Sequence, residues 1–184
     1  QLIHLGSEVK MATDGTVSGY LVLFGSPNEA DFVGDYFTKS TDFDLEDGQG
    51  KATMYFNHGL DPVLGKHKLN RGVKAELSVK DKGVWIEGRL DEANEYDSMV
   101  IELIKRRQAQ GKSIGWSSGV PSHLVDREEV KGAYHIKSWS LGSDASLTHT
   151  PADYRNQATY KTLELLPINH SALPTEAETG VSVK

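Results

Sequence analysis

The sequence predicts a mainly β, α+β fold: a closed or nearly closed β-barrel with one long amphipathic helix and smaller helices. Three observations carry that expectation. Apolar and polar residues alternate on both sides of Asp81-Lys82-Gly83, as in a β-hairpin. One stretch, Asp91 to Gly111, switches to helical period. Short apolar segments closed by Gly, Pro, Asn or Asp surround that stretch on both sides.

In chain order, the first clear element is Gly19-Tyr20-Leu21-Val22-Leu23-Phe24, a buried strand closed by Gly25-Ser26-Pro27-Asn28. Asn28 to Gly50 is acidic and contains glycines, with scattered aromatics, and reads as a long loop with one short helix. Met54-Tyr55-Phe56 is a second strand that runs straight into Asn57-His58-Gly59. Val73, Ala75, Leu77 and Val79, then Val84, Ile86 and Leu90, form the two arms of the hairpin. Tyr96, Met99, Val100, Leu103 and Ile104 fall at helical spacing. Asp91 or Asn94 caps that helix, Lys105, Arg106 and Arg107 suit its C-terminal dipole, and Gly111 stops it. Ile114 to Val125 and Tyr134 to Trp139 read as strands, with Asp126 to Gly132 as a charged turn between them. Ala145 to Thr150 is a short strand ended by Pro151.

The domain boundaries follow from composition. Residues 1–15 read as an N-terminal extension, 16–158 as the folded domain and 159–184 as a tail or linker that has Pro167, Pro174 and few aromatics. A chain of 184 residues buries enough surface to fold without staples. It has no cysteine, which excludes disulfides, cysteinyl zinc sites and a cysteine nucleophile. The net charge of −6 speaks against a phosphate-binding surface, so no nucleic-acid partner is expected. No apolar run reaches the ~18 residues of a membrane span, and Gln1-Leu2-Ile3-His4 lacks the blocks of a signal peptide. The expected compartment is cytosolic.

Chemistry concentrates in three places. His58 ends a strand and opens into a Gly/Pro loop, the setting of a cleft residue or of an ordinary surface histidine. His58, Asp61 and His67 also admit a metal reading, but their spacing is not that of a helical ligand pair, and no metal or cofactor is expected. Two overlapping Gly-x-Ser-x-Gly patterns follow the helix: Gly111-Lys112-Ser113-Ile114-Gly115 and Gly115-Trp116-Ser117-Ser118-Gly119. Such glycines allow close approach of a substrate carbonyl, although Gly-Ser turns after helices are common. The helix–turn–strand order disfavours an α/β-hydrolase elbow. Asp144, inside Ser143-Asp144-Ala145-Ser146, is an edge-strand acid, a turn residue or an orienter for a histidine.

Taken in order, these stretches resemble the tailed-phage prohead maturation proteases, which share the fold of the herpesvirus maturation protease. The likeness rests on Gly19-Tyr20 with Phe24-Gly25, Gly34-Asp35-Tyr36-Phe37, Phe56-Asn57-His58 with Pro62-Val63-Leu64-Gly65, Gly83 to Leu90, Gly115 to Gly119, and Asp144 to Thr148 with Pro151-Ala152. The resemblance implies a serine endopeptidase that cleaves scaffold and capsid protein, and itself, inside the immature capsid in the host cytoplasm. It implies His58 as general base, a serine of the 113–118 cluster as nucleophile and Asp144 in the third place, with His149 as the alternate. It also implies a homodimer or a weak self-association. No oxyanion hole is legible; Val125-Asp126-Arg127 is a guess. Alternation along a strand puts Ser113 and Ser117 on one face and Ser118 on the other. Ser117 has the hydrophobic Trp116 before it, as the family pattern does, so it ranks ahead of Ser113 and Ser118. The competing reading is a non-catalytic β-barrel capsid, decoration or scaffold-associated protein. The two differ in whether a serine, His58 and Asp144 converge.

Overall fold

In the computed structural model of the protein, residues 2–5, 10–63, 68–69 and 73–151 are described. The strands are β1 (Leu2–Leu5), β2 (Lys10–Met11), β3 (Thr16–Leu23), β4 (Asp35–Tyr36), β5 (Gln49–Ala52), β6 (Met54–Phe56), β7 (Ala75–Lys80), β8 (Gly83–Arg89), β9 (Gly115–Pro121), β10 (Asp126–Val130), β11 (Ala133–Ser138) and β12 (Ala145–Thr148). One α-helix, α1 (Glu95–Ala109), lies between β8 and β9. The smaller helices expected from the sequence are, among the described residues, short 3₁₀ turns such as Pro27–Glu29, Asn57–Gly59 and Ser122–Leu124.

The strands form three sheets in the orders β2-β3-β8-β7-β5, β1-β9-β12-β6 and β10-β11-β4. The result is a strand-dominated α+β fold. Among the described residues no ladder closes into a ring: the first two sheets end on β2, β5, β1 and β6. Isolated bridges join the pieces where strands end, Phe24 with Phe37 and Asp42 with Ser138.

The β7–β8 hairpin forms as its alternation predicts, with Leu77 opposite Ile86 and Val79 opposite Val84. Leu77, Val84 and Ile86 are buried, so the apolar side of the hairpin faces the core. Gly83 is required here: it has φ 156°, and a Cβ at this position would run into the Val22 carbonyl oxygen of β3.

Asn94, not Asp91, caps α1: its Oδ1 accepts from the amides of Tyr96 and Asp97 at 3.0 and 3.3 Å. Gly111, at φ 66°, takes the left-handed conformation that ends the helix. The buried stripe is Asp97, Val100, Ile101 and Ile104. It is rotated from the expected one, because Met99 is 41% exposed. Asp97 is tolerated inside because its Oδ2 accepts from the Asp91 amide at 2.8 Å.

Two sequence expectations need correcting. Asp126 to Gly132 is not all turn. Asp126–Val130 is an edge strand paired with β11, and only Lys131-Gly132, both at positive φ, turns the chain. Its first four residues are charged and exposed, so no alternation betrays it. Within Asn28 to Gly50, β4 and the start of β5 interrupt the expected loop. The tail reading, 159–184, lies outside the described residues.

Candidate active site

β6 and β12 run parallel, with Met54, Tyr55 and Phe56 beside Ala145, Ser146 and Leu147. This pairing joins two segments about ninety residues apart and sets the loop before β12 next to the turn after β6. Asp144 therefore meets His58, with Nδ1 and Oδ2 2.5 Å apart. A carboxylate only accepts, so Nδ1 carries the proton, and Nε2 becomes the basic nitrogen of the neutral ring. Both side chains are largely withdrawn from water, at 7% and 16% exposed.

The backbone under His58 is left-handed. Asn57 and His58 have φ of 51° and 57°, and Gly59 follows at 68°. For non-glycine residues this costs roughly 1–2 kcal/mol each. Three contacts hold it in place. Thr148 Oγ1 donates to Asn57 Oδ1 at 2.8 Å. The His58 amide donates to Ser146 Oγ at 3.0 Å. The Leu60 amide donates to Asn57 O at 2.9 Å. Asp44, Asp47 and Lys131 take similar positive φ values, but among these only the Asn57-His58 pair lies against the Asp144–Ser146 cluster.

Ser146 is the pivot. Its hydroxyl accepts from the His58 amide and donates to Asp144 Oδ1 at 2.6 Å. It thereby ties the His58 backbone to the Asp144 carboxylate. Sequence reasoning missed this residue; only the Asp-x-Ser spacing pointed to it.

β12 also pairs antiparallel with β9, and there Ser146 stands opposite Ser117. Directly opposed residues of an antiparallel pair share a face. Ser117 is therefore on the Ser146 face, while Ser118 points the other way, as the alternation predicted. Ser118 Oγ accepts from the indole Nε1 of the buried Trp139 at 3.0 Å. That hydroxyl is committed to the core. Ser117 Oγ is buried with no hydrogen-bond partner among the described residues. Ser113 lies before β9 and half-buried, and its carbonyl accepts from Arg107 Nε at 3.1 Å.

His149 is exposed, its ring stacked on Phe56 at 6.3 Å. The carboxylate at His58 Nδ1 is that of Asp144. Arg127 is engaged elsewhere: its Nη1 donates to Asp35 Oδ1 at 3.4 Å, and its guanidinium lies 4.6 Å from the Tyr134 ring centroid. Burial, only partly offset by that arginine, pushes the Asp35 carboxyl above its usual range. Among the described residues no group of three or more His, Asp or Glu side chains is arranged to hold a metal, and His67 lies outside them.

Against known proteins, the sequence profile of the caudovirus prohead serine proteases matches residues 5–171. The chain belongs to that family. It is a serine protease of phage prohead maturation, and the non-catalytic reading falls away at the level of the family. No curated protein matches the chain. Among solved structures, the bacteriophage T4 capsid assembly protease gp21 superposes with a TM-score of 0.46 at 10% identity, covering 82% of this chain and 98% of that one.

Proposed function

We propose that Ser117 is the nucleophile of this prohead protease, His58 its general base and Asp144 the acid that orients His58. The observation that carries the reading is the His58 Nδ1–Asp144 Oδ2 hydrogen bond, locked by Ser146, the residue opposite Ser117. Asp144 holds the tautomer in which Nε2 is basic and stabilises the imidazolium that forms. Nε2 takes the Ser117 Oγ proton as Oγ attacks the scissile carbonyl. It then returns that proton to the departing amine, and water repeats the sequence on the acyl-enzyme. Attack requires Oγ within about 2.6–3.2 Å of Nε2, a contact that commonly tightens only with substrate bound. Proton transfer of this kind contributes about 10²–10⁴ in rate.

Ser118 is a poor candidate because its hydroxyl is spent on Trp139, and Ser113 because it precedes the strand that faces Ser146. His149 is set aside because its ring packs on Phe56. The test is scaffold cleavage by three single variants. Ser117→Ala should abolish it, with folding intact, while Ser113→Ala and Ser118→Ala retain it. Loss in either of the latter with Ser117→Ala active would move the nucleophile.

The family reading extends further. The substrates are scaffold and capsid protein, and the site of action is the immature capsid in the host cytoplasm, with no membrane or nucleic acid involved. The three sheets are walls of a herpesvirus-protease-like barrel, a reading supported by the Phe24–Phe37 bridge where β3 and β4 end. The chain pairs as a homodimer through α1, where Met99 borders a groove of about 430 Å³ that also includes Phe56, Val63 and Leu103; a strict monomer by sedimentation at micromolar and higher concentrations would refute this. The 159–184 tail is autoprocessed and dispensable for the fold, so truncation after Tyr160 should leave the melting point within about 5 °C.

A further inference from the structure

β6 leaves its ladder with β12 at one defined step. The last backbone pair is Phe56 beside Leu147. The next residues in that register are Asn57 and Thr148, and there a side-chain bond takes over: Thr148 Oγ1 donates to Asn57 Oδ1 at 2.8 Å. The chain turns away at this step. Asn57, His58 and Gly59 follow with φ of 51°, 57° and 68°. Consecutive left-handed residues are uncommon, and two of these carry a Cβ. Asparagine is among the residues that accept the conformation, but it must still be held there. Thr148 is suited to hold it. The residue is 1% exposed, and its hydroxyl is oriented from behind, because the Thr150 amide donates to Oγ1 at 3.2 Å. A hydroxyl that accepts on one side keeps its one proton for the other. Alternation along β12 puts Thr148 on the Ser146 face. Two side chains of one strand therefore grip consecutive residues. Thr148 holds Asn57 by its side chain, and Ser146 holds His58 by its amide.

We propose that Thr148 is a positioning residue for the general base: through Asn57 it fixes the left-handed turn that carries the His58 ring to Asp144. The inference rests on His58 as the base. The direction of the His58 side chain is set by the backbone beneath it. If Asn57 relaxes to an extended or right-handed conformation, the His58 Cβ swings and Nδ1 leaves Asp144 Oδ2. Ser146 reaches the His58 amide; the Asn57 side chain is set by Thr148. Thr148 acts on the chemistry only through these two residues. A misplacement near 1 Å at a reacting group costs about 10²-fold in rate. The loss on removing the Thr148 hydroxyl is therefore expected in kcat, with KM nearly unchanged.

The test follows the rate at which a fluorophosphonate labels the full chain. Thr148→Val keeps the shape of the side chain and removes the hydroxyl. It should slow labelling by about tenfold to 10²-fold, and Thr148→Ser, which keeps the hydroxyl, should restore most of the rate. Asn57→Gly removes the acceptor and takes positive φ without a Cβ. In that background Thr148→Val should have no further effect, because residues that act through one contact do not add. Asn57→Ala, which keeps a Cβ, should label more slowly than Asn57→Gly. A second readout is the His58 Nδ1 proton, which a carboxylate partner holds downfield of the amides in proton NMR. Its signal, assigned by its loss in His58→Ala, should broaden away in Thr148→Val and return in Thr148→Ser. An unchanged labelling rate in Thr148→Val, or an equal loss from it in the Asn57→Gly background, would overturn the proposal. So would Asn57→Ala labelling faster than Asn57→Gly, or a Thr148→Val chain that keeps the Nδ1 signal. If instead His58→Ala labels as fast as the unchanged chain, the base assignment fails, whatever Thr148 does.

Discussion

The sheet built on β3, β8 and β7 and the sheet built on β9 and β12 answer different demands. In the first, Val17, Leu21, Val22, Leu77, Val84 and Ile86 bury their side chains in the core, and the turn glycine fits a place no other residue could take. In the second, Ser117, Ser118, Ser146 and Thr148 are equally buried but polar, and one hydroxyl has no partner among the described residues. Beside them stand two non-glycine residues in left-handed backbone. The first sheet is organised for stability. The second buries Met54, Phe56, Trp116 and Leu147 as well, and adds to them a polar cluster that holds His58 against Asp144.

Replacing residues on each side should separate the two roles. The largest effect is expected from Ser117→Ala, about 10⁴-fold or more in the rate of scaffold cleavage. Asp144→Asn should follow, with about 10²–10⁴-fold lost from kcat as Nδ1 loses its carboxylate; the melting point should move little. In the other sheet, Ile86→Ala should cost about 2–5 kcal/mol in denaturant unfolding and leave kcat unchanged at permissive temperature. If Ile86→Ala instead reduced kcat as strongly as Asp144→Asn, the division of roles would not hold.

The adjacent serines sharpen the comparison within one strand. Ser118→Ala orphans the buried Trp139 Nε1 and should destabilise by about 1–3 kcal/mol. Ser117→Ala removes a buried hydroxyl that has no partner among the described residues and should raise the melting point by a few degrees, near 2–4 °C per kcal/mol. Thermal scans of the two variants should shift in opposite directions.

The smallest expected effect lies away from both regions, at His135. Burial, reinforced by the Lys137 ammonium and opposed by Glu128, pushes its pKa below the ordinary 6.5. The unfolded chain then binds the proton better. Stability should rise as pH climbs through the window just below 6.5 and fall as pH drops through it. His135→Gln should flatten that part of the stability curve. An unchanged slope would mean that other groups set it.

What was legible in the sequence follows the range of the interactions. The hairpin and α1 announce themselves because their patterns and caps lie within one local stretch. His58, Ser117 and Asp144 stood out through their local settings and family resemblance, but the His58–Asp144 contact depends on the parallel β6–β12 pairing and the placing of Ser117 opposite Ser146 on the β9–β12 pairing, neither of which a local pattern encodes. Ser146 was hidden for the same reason: its role exists only once β6 and β9 flank β12. β10 was masked by its exposed charges. β1 and β2 were hidden because four- and two-residue strands are too short to display a period. Met99 misled because its spacing fitted the apolar stripe while Ile101, two residues on and across the helix, takes the core position.

The central claim, that Ser117 is activated by the His58–Asp144 pair, is tested most directly by covalent trapping. The full chain would be treated with a fluorophosphonate, digested, and the modified serine located by mass spectrometry. A single adduct on Ser117, lost in His58→Ala and strongly slowed in Asp144→Asn, is the expected result. An adduct on Ser113 or Ser118, or labelling of Ser117 at the same rate in His58→Ala, would contradict the account.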